Sequence, residues 1–379
     1  MANLDALNAT TQPPQRFRVF NRGDVLPRAW YFAGRSADLA PGGVRGLTLG
    51  GQRVVLFRGS DGRVGCLDAF CPHMGTDLSI GRVEGDTLRC HFHHWRFDRD
   101  GACADIPCLA RTTAASDAAA PDAGTRAAVR TRAYAVAERY DALWIYPDAT
   151  PDYPLLEVPG LEGKPVVVDF DAPNTAASPY HVSMVNGLDV QHLGSVHGVG
   201  LQMAAQVEEH DGLFDAVVDG PLPAGGVAGW VARHLVGERG ADAPRYAYTM
   251  RYAQATVAGL VLLQRTRWPA LRMIFAYLPL SDGRSTTQPI FVAERRPGLL
   301  GWLRARALLL ATRVAYRVLE EEDERIYDHI RFTARNLLAL DAPVARYIRY
   351  VEALVPSAWS SPAALAEHRE RAAAPPPCP

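Results

Sequence analysis

Hydrophobic and polar residues alternate in short runs through the first part of the chain, and this period of two residues indicates β-strands. Turn signals such as Ser60-Asp61-Gly62 and Glu84-Gly85-Asp86 separate the runs. We expect a small antiparallel β domain there. Its predicted strands are 30–34, 53–58, 62–67, 87–91, 133–139 and 142–146. The stretch 112–126 lacks apolar periodicity and is expected to be a surface insertion of unassigned role.

The remainder of the chain combines longer strands with helices. The predicted strands are 165–170, 247–257, 259–266, 272–278 and 290–294. The stretch 183–197 has a helical pattern, and from Leu299 to about Leu340 a period of 3.6 residues indicates one long helix or two abutting ones. The expected fold class is therefore α+β, an antiparallel β domain followed by a domain of antiparallel sheet with covering helices.

The length of the chain predicts two domains. A chain of 379 residues is longer than one hydrophobic core usually fills. A linker with three prolines at 151–159 marks the expected boundary. The expected division is a flexible leader 1–27, a first domain 28–148, a second domain 149–355 and a partly disordered tail 356–379.

Charge and hydropathy exclude several classes of protein. The formal net charge is -1, which offers no attraction to nucleic acid or to anionic lipid. Four arginines interrupt the most apolar stretch, 299–318, so we expect an amphipathic helix and no integral membrane segment. The start of the chain lacks a positive segment followed by an apolar run, and Lys164 is the single lysine beside many arginines. We therefore expect a bacterial protein of the cytoplasm.

The first candidate metal site combines a C-x-H pair with a C-x-x-H pair. Cys71 and His73 form the first pair, and Cys90 and His93 form the second after sixteen intervening residues. Six cysteines without a secretory signal argue against a disulfide framework. Two thiolates on one iron and two imidazoles on the other are the ligands of a Rieske [2Fe-2S] cluster. A tetrahedral zinc site uses the same ligand types and is the alternative, although zinc sites prefer C-x-x-C pairs.

The second candidate site begins at Asn186. Asn186, Asp189 and His192 are three residues apart, so they share one face of a helix. His197 follows five residues after His192, about 140° away on an ideal helix. The helix must bend or end between the two histidines, and Gly194 is the predicted place. Two histidines and one carboxylate form the facial triad of non-heme Fe(II) enzymes.

The carboxylate is expected from the acidic run 320–324. At helical spacing, Asp323 interrupts an apolar stripe that includes Leu319 and Tyr327. An unpaired carboxylate that faces a core is costly unless a metal or a partner compensates it. Asp323 is therefore the candidate ligand, and Glu322 is the fallback. The alternative interpretation of the acidic run is a solvated helix surface.

The cluster motifs resemble the Rieske family. The sequences C-P-H-M-G at 71–75 and C-H-F-H-H-W at 90–95 carry the resemblance, which extends over about 28–148. The respiratory branch of the family has a further cysteine in each loop. This chain has Thr76 and Phe92 at those positions, so it resembles the oxygenase branch.

The second half of the chain resembles the catalytic half of Rieske oxygenases. The pattern N-x-x-D-x-x-H-x4-H with a distant E-D-x-x-I carries this resemblance. The segment 92–107 is similar to aminopyrrolnitrin oxygenase and to relatives in natural-product pathways. The mononuclear Fe(II) ligands implied by the family pattern are His192, His197 and Asp323. The pattern also implies that Asn186 lies beside this iron and that Asp189 links it to a cluster histidine of the next subunit in a homotrimer.

These motifs together predict a function. No G-x-G-x-x-G motif opens a strand-helix unit, so a ferredoxin, a reductase or both must supply the electrons. We expect a terminal oxygenase that uses O2 to oxidise a mainly hydrophobic, ring-containing small molecule, with monooxygenation as the leading reaction. The alternatives are a Rieske-dependent oxidative cyclase, desaturase or N-oxygenase and, more remotely, an electron-transfer Rieske protein. The candidate cavity residues are Met203, Leu213, Phe214, Trp230, Leu260, Leu262 and Phe275.

Overall fold

The structure is a computed structural model. It describes residues 16–108, 128–197, 203–221, 245–264, 266, 268–280 and 282–373. The insertion predicted at 112–126 and the candidate cavity residue Trp230 lie outside the described residues.

Short antiparallel strands form the described part of the first domain. Their bounds are β1 Tyr31–Arg35, β2 Val44–Leu49, β3 Gln52–Arg58, β4 Val64–Asp68, β5 Arg82–Glu84, β6 Thr87–Arg89, β7 Arg96–Phe97, β8 Cys103–Asp105, β9 Ala133–Tyr134, β10 Val136–Arg139 and β11 Ala142–Ile145. They pair into three sheets, in the orders β2-β3-β4-β9, β1-β11-β10 and β5-β6-β7-β8. The predicted small antiparallel β domain is confirmed.

Strand β3 is buried on both of its faces. Val54 and Leu56 point into one apolar cluster, whereas Val55 and Phe57 point into a second cluster that also contains Cys71. Successive side chains of a strand face opposite sides, which explains the division. The core beneath the Cys71 loop is therefore built on the same strand as the core of the main sheet.

One large sheet forms the second domain. Its strands are β12 Val166–Phe170, β13 Asn174–Ala176, β14 Ala204–His210, β15 Leu213–Pro221, β16 Arg245–Ala253, β17 Val257–Gln264, β18 Leu271–Pro279 and β19 Ser285–Glu294. The order is β12-β19-β18-β17-β16-β15-β14, and β13 pairs with the other end of β19. Every pairing is antiparallel. With its covering helices, this sheet confirms the predicted α+β class.

Two short helices replace the single helix predicted over 183–197. They are α1, Tyr180–Asn186, and α2, Val190–Ser195. The break falls before Asp189, whose carboxylate accepts hydrogen bonds from the backbone N–H groups of Gln191 (2.9 Å) and His192 (3.2 Å) and so caps α2. Helix α2 ends at Ser195, one residue after Gly194, so the predicted end of the helix between His192 and His197 is confirmed.

A long helix, α3 (Gly298–Tyr327), covers the sheet. Its buried residues are Ala305, Leu309, Thr312, Tyr316 and Asp323. The prediction of a single helix that continues to about Leu340 is wrong. Helix α3 ends at Tyr327, and the next α-helix, α4, covers Ala342–Glu352. Asp328 follows the last residue of α3, and its carboxylate accepts a hydrogen bond from the backbone N–H of Ala177 (2.9 Å). Among the described residues, no helix is long and apolar enough to cross a membrane.

Both ends of the described chain pack against the domains. Phe20 and Leu26 are fully buried, and Trp359 is 2% exposed. The backbone N–H of Arg28 donates to Val355 (2.9 Å), and a last helix, α5, covers Pro362–Ala373. The described parts of the expected leader and tail, 16–27 and 356–373, therefore place large apolar side chains in the cores, and the remaining parts lie outside the described residues.

Candidate metal centres

Two loops bring the predicted cluster residues together in the first domain. Cys71 and Cys90 are 4% and 1% exposed, whereas His73 and His93 are exposed. The two imidazole ring centroids lie 4.5 Å apart. The thiols thus face the core and the imidazoles face the surface, as one cluster bound between the two pairs requires.

The chemistry of these side chains suits iron. Burial raises the pKa of Cys71 to about 11, with a contribution from the adjacent Cys90 thiol. A thiol with this pKa keeps its proton at neutral pH unless a metal ion displaces it. The two sulfurs and two imidazoles fit a [2Fe-2S] cluster with Cys71 and Cys90 on one iron and His73 and His93 on the other.

Neighbouring groups shape the cluster loops. The Trp95 ring stacks on the His73 imidazole with a centroid distance of 4.3 Å and an interplanar angle of 8°. Gly75 has a φ of +76°, a left-handed conformation that favours glycine. A Cβ at Gly81 would lie 2.3 Å from the carbonyl oxygen of Arg89, so the backbones of the two loops approach closely there.

The second predicted site converges against the central strands of the large sheet, β16, β17 and β18. The Nε2 atoms of His192 and His197 lie 2.8 Å apart. Asp323 Oδ1 lies 3.2 Å from the former and 3.3 Å from the latter. Two ring nitrogens and a carboxylate oxygen at this spacing repel one another unless a proton or a metal ion lies between them. The arrangement matches the facial triad, and these three residues can hold one metal ion.

Each histidine has a hydrogen-bond partner at Nδ1, the ring nitrogen that faces away from the triad. His192 Nδ1 lies 3.3 Å from the backbone oxygen of Asp189, and His197 Nδ1 is bonded to the carboxylate of Glu322. An N–H donated at Nδ1 leaves the Nε2 lone pair free for a metal ion. Glu322, the fallback ligand in the sequence, therefore lies on the opposite side of His197 from Asp323. The sequence contained no signal for this orienting role.

Asn186 joins the ligands to a tyrosine. Its Nδ2 donates to Asp323 Oδ2 (2.8 Å) and Tyr327 OH (2.8 Å) and lies 3.1 Å from His192 Nε2. Burial opposes the charged form of His192, but the hydrogen bond and charge of Asp323 prevail and raise the pKa of His192. The sequence placed Asn186 beside the site, whereas Tyr327 was known only as a member of the apolar stripe.

Asp189 lies at the start of α2 beside this site. One carboxylate oxygen caps the helix, and its backbone oxygen accepts from His192. Among the described residues, the second carboxylate oxygen makes no hydrogen bond. Asp189 therefore holds the His192 backbone and ring while one oxygen stays available.

A cavity of about 200 Å³ opens beside the triad. Its apolar lining residues are Leu193, Met250, Leu260, Leu262, Met273, Phe275 and Leu319. Leu260, Leu262 and Phe275 thus line the cavity as expected from the sequence. Met203 and Phe214 instead lie in the apolar core, and Leu213 packs against a second core cluster.

Comparison with known proteins identifies the first domain. Residues 29–121 match the Rieske [2Fe-2S] domain family. This part of the chain is therefore a Rieske domain, and the zinc alternative is not supported. Proteins with two such centres, a Rieske cluster and a histidine-carboxylate iron site, form the class of Rieske oxygenases that the sequence resembles.

Curated relatives belong to that class. The chain is 33% identical over 180 residues to cholesterol 7-desaturase nvd of Bombyx mori, covering 46% of this chain and 36% of the relative. It is 31% identical over 200 residues to aminopyrrolnitrin oxygenase PrnD of Pseudomonas fluorescens, covering 52% of each. It is 31% identical over 202 residues to the 3-chlorobenzoate-3,4-dioxygenase oxygenase subunit of Comamonas testosteroni, covering 52% of this chain and 43% of that subunit. The chain spans about half or less of the length of these relatives, and the predicted resemblance is confirmed.

Solved structures share the fold over most of the chain. Dicamba monooxygenase bound to dicamba matches with a TM-score of 0.55 and 21% identity, covering 86% of this chain and 97% of that one. NdmB of Pseudomonas putida CBB5 matches with a TM-score of 0.62 and 18% identity, covering 89% and 93%. Both domains of the fold therefore occur together in these structures.

Proposed function

We propose that this chain is the terminal oxygenase of a Rieske non-heme iron system, which uses O2 and electrons from another protein to oxidise a mainly hydrophobic, ring-containing small molecule. The observation that carries the proposal is the convergence of His192, His197 and Asp323 on an apolar cavity in a chain with a Rieske domain. A protein that only transfers electrons needs neither the triad nor the cavity, so the electron-transfer alternative is disfavoured.

The chain's own residues prepare the mononuclear site. A ferrous ion held by the triad would supply the centre at which dioxygen is bound and reduced. Asp189 and Glu322 contact the Nδ1 atoms of the two histidines and so direct both Nε2 atoms towards the metal position. Asn186 Nδ2 donates a hydrogen bond to Asp323 Oδ2, so Asp323 Oδ1 remains directed at the two histidines. The apolar cavity walls exclude water and position the substrate.

The proposed route for electrons runs between subunits. None of the hydrogen bonds or ion pairs of the described residues joins the cluster loops, 71–75 and 90–95, to the segment 186–197. Large exposed apolar side chains surround the cluster histidines, among them Met74 at 66% and Phe92 at 56% exposure. Exposed apolar side chains of this kind mark a surface that another protein covers. We propose that the catalytic domain of the next copy in a homotrimer covers it, and that the free carboxylate oxygen of Asp189 links that copy's mononuclear site to a cluster histidine.

Coexpression of two inactive variants tests the homotrimer. Cys90→Ser removes the cluster, and His192→Ala removes the mononuclear site. If electrons pass between subunits, mixed assemblies regain part of the activity that neither variant has alone. Light scattering would give the mass of three chains. Absence of complementation in assemblies shown to be mixed would contradict the route.

The oxygenase function is tested by turnover with a ferredoxin and a reductase. We expect oxygen uptake that depends on an aromatic or polycyclic substrate. His192→Ala should keep the electron paramagnetic resonance signal of the reduced Rieske cluster but lose the second iron and the oxygen uptake. Full activity in this variant, or protein that is free of iron after anaerobic purification, would contradict the proposal.

Other reaction outcomes have specific support. The names of the relatives include a desaturase and an aminopyrrolnitrin oxygenase. A desaturase or an oxidative cyclase on this site would leave no oxygen from labelled dioxygen in the product, whereas a monooxygenase or an N-oxygenase would incorporate it.

The similarity to PrnD favours a role in natural-product biosynthesis. We place the protein in the bacterial cytoplasm, with a ferredoxin or reductase as partner.

A further inference from the structure

Two hydrogen-bonded groups stand out among the polar side chains that line the cavity. One group surrounds the triad and contains Asn186 and Tyr327. The other consists of Asn174, Tyr316 and Glu320, which also line the cavity. We call these three residues the Glu320 cluster. The role proposed for the triad leaves the Glu320 cluster unexplained.

The Glu320 cluster connects α3 to the sheet. Tyr316 and Glu320 lie four residues apart on α3, and the Tyr316 hydroxyl donates to Glu320 Oε1 (2.7 Å). Asn174 lies on β13, opposite Thr287 of β19. Its Nδ2 donates to the Tyr316 hydroxyl (2.8 Å) and to Glu320 Oε1.

These contacts fix the orientation of the Asn174 amide. A carboxylate oxygen only accepts hydrogen bonds, so the side of the amide that faces Glu320 must be the NH2 group. Asn174 Oδ1 is buried and has no hydrogen-bond partner among the described residues. Both donors of the cluster are directed at Glu320 Oε1, and Asn174 Oδ1 is enclosed by protein atoms. The acceptor of the cluster that remains for a ligand in the cavity is therefore Glu320 Oε2.

An acceptor in an apolar cavity selects for a donor on the ligand. A buried polar group without a partner is unfavourable, and a ligand that lacks the matching donor leaves it unpaired. Glu320 precedes Asp323 by three residues on α3, which corresponds to an axial rise of about 4.5 Å. A ligand bonded at Glu320 therefore places its neighbouring atoms beside the triad.

We propose that Glu320, oriented by Asn174 and Tyr316, forms a recognition subsite for an N–H or O–H donor on the ring system of the substrate. The substrate class is then an aromatic or polycyclic molecule that carries such a donor close to the atom that reacts. This inference rests on the proposed function, because it assigns the substrate orientation of the same cavity. Glu320 determines specificity, Asn174 positions it, and the triad ligands retain their separate role.

Paired ring compounds test the subsite by binding alone. Indole and indene have nearly the same shape, but only indole carries an N–H donor. Phenol and toluene form the corresponding O–H pair. Calorimetric titration of the anaerobic holoenzyme should show indole bound about tenfold more tightly than indene, since one additional hydrogen bond contributes roughly that factor. The phenol and toluene pair shows which kind of donor the subsite prefers.

Substitution of Glu320 supplies the second arm. Glu320→Leu removes the acceptor and should reduce the indole-to-indene ratio to about one while indene still binds. Glu321→Leu is the matched control, because Glu321 is exposed on the same helix and does not line the cavity. We expect this control to keep the wild-type ratio.

Two results would overturn the subsite. One is equal binding of indole and indene, and of phenol and toluene, by the wild-type holoenzyme, a result that needs no variant to fold. The other is a wild-type ratio that persists in Glu320→Leu, which would reduce the Glu320 cluster to a structural connection between α3 and β13. Binding is measured without turnover, so the subsite and the oxygenase function can fail separately. If only the oxygenase proposal is wrong, the protein still distinguishes the paired compounds but shows no substrate-dependent oxygen uptake.

Discussion

The carboxylate of Glu322 is bonded to Nδ1 of His197, whose Nε2 lies 3.3 Å from Asp323 Oδ1. Consecutive residues of α3 thus contact opposite sides of one imidazole. Glu322→Ala should weaken iron binding at the mononuclear site about 10- to 100-fold, because the ring loses the partner that fixes its tautomer and orientation. Competition with a chelator measures the affinity. Glu321→Ala is the control, and an unchanged affinity in Glu322→Ala would show that the contact has no orienting role.

Trp95 is expected to tune the Rieske cluster. Its ring covers the imidazole of His73 at a centroid distance of 4.3 Å. Trp95→Ala would admit water to that side of the cluster, and water stabilises the more highly charged reduced state. We expect a rise in the reduction potential on the order of tens of millivolts, measured by a redox titration of the cluster signal. Trp95→Phe should retain most of the wild-type potential, and equal potentials in all three proteins would contradict the expectation.

His181 should make the stability of the fold depend on pH. The side chain is fully buried, its Nδ1 accepts from the backbone N–H of Asn21 (2.8 Å), and burial lowers its pKa to about 3. The unfolded chain binds a proton near pH 6.5 while the folded chain does not, so the free energy of unfolding decreases as pH falls from about 6.5 towards 3. The decrease is about 1.4 kcal/mol per pH unit within that window.

Urea unfolding at a series of pH values measures the His181 effect. His181→Asn keeps an acceptor for the Asn21 N–H but cannot take up a proton. The difference in stability between wild type and His181→Asn should therefore shrink as pH decreases below about 6.5. A difference that stays constant over this range would mean that His181 is protonated in the folded protein.

Glu352 is expected to stabilise the packing of residues 18–20 against α4. Its carboxylate accepts the backbone N–H groups of Arg18, Val19 and Phe20 at 2.8–3.0 Å. Hydrogen bonds to a charged acceptor contribute about 1.5–3 kcal/mol, so Glu352→Ala should lower the free energy of unfolding by about 2 kcal/mol. Glu352→Gln keeps an acceptor and should lose less. Equal losses in the two variants would contradict the role assigned to the carboxylate.

Several elements could not be predicted because their patterns are ambiguous. Strand β14 exposes or half-exposes every residue, so it lacks an apolar face. Strand β15 alternates clearly, but Leu213 and Phe214 were interpreted as cavity lining although they belong to core clusters. The break between α1 and α2 depends on close contacts of Gly187, where a Cβ would lie 2.9 Å from the Tyr252 hydroxyl. Such contacts join residues distant in sequence.

The sequence by itself determined which residue types occur at which spacing. Metal chemistry is selective for ligand atoms, so C-x-H with C-x-x-H predicted a Rieske cluster, and the facial-triad pattern predicted His192, His197 and Asp323 together in space. The alternating and helical periods likewise predicted an antiparallel β domain before a sheet covered by helices. These signals are local, because each depends on neighbouring positions of the chain.

Only the tertiary structure decided how the candidate side chains divide their tasks. Glu322 and Asp323 are neighbours of similar chemistry, and the rotation of α3 against α2 directs one to Nδ1 of His197 and the other to Nε2. The same packing brings Asn174 of β13 to Glu320. Orientation and burial arise from contacts between distant segments, which no local pattern encodes.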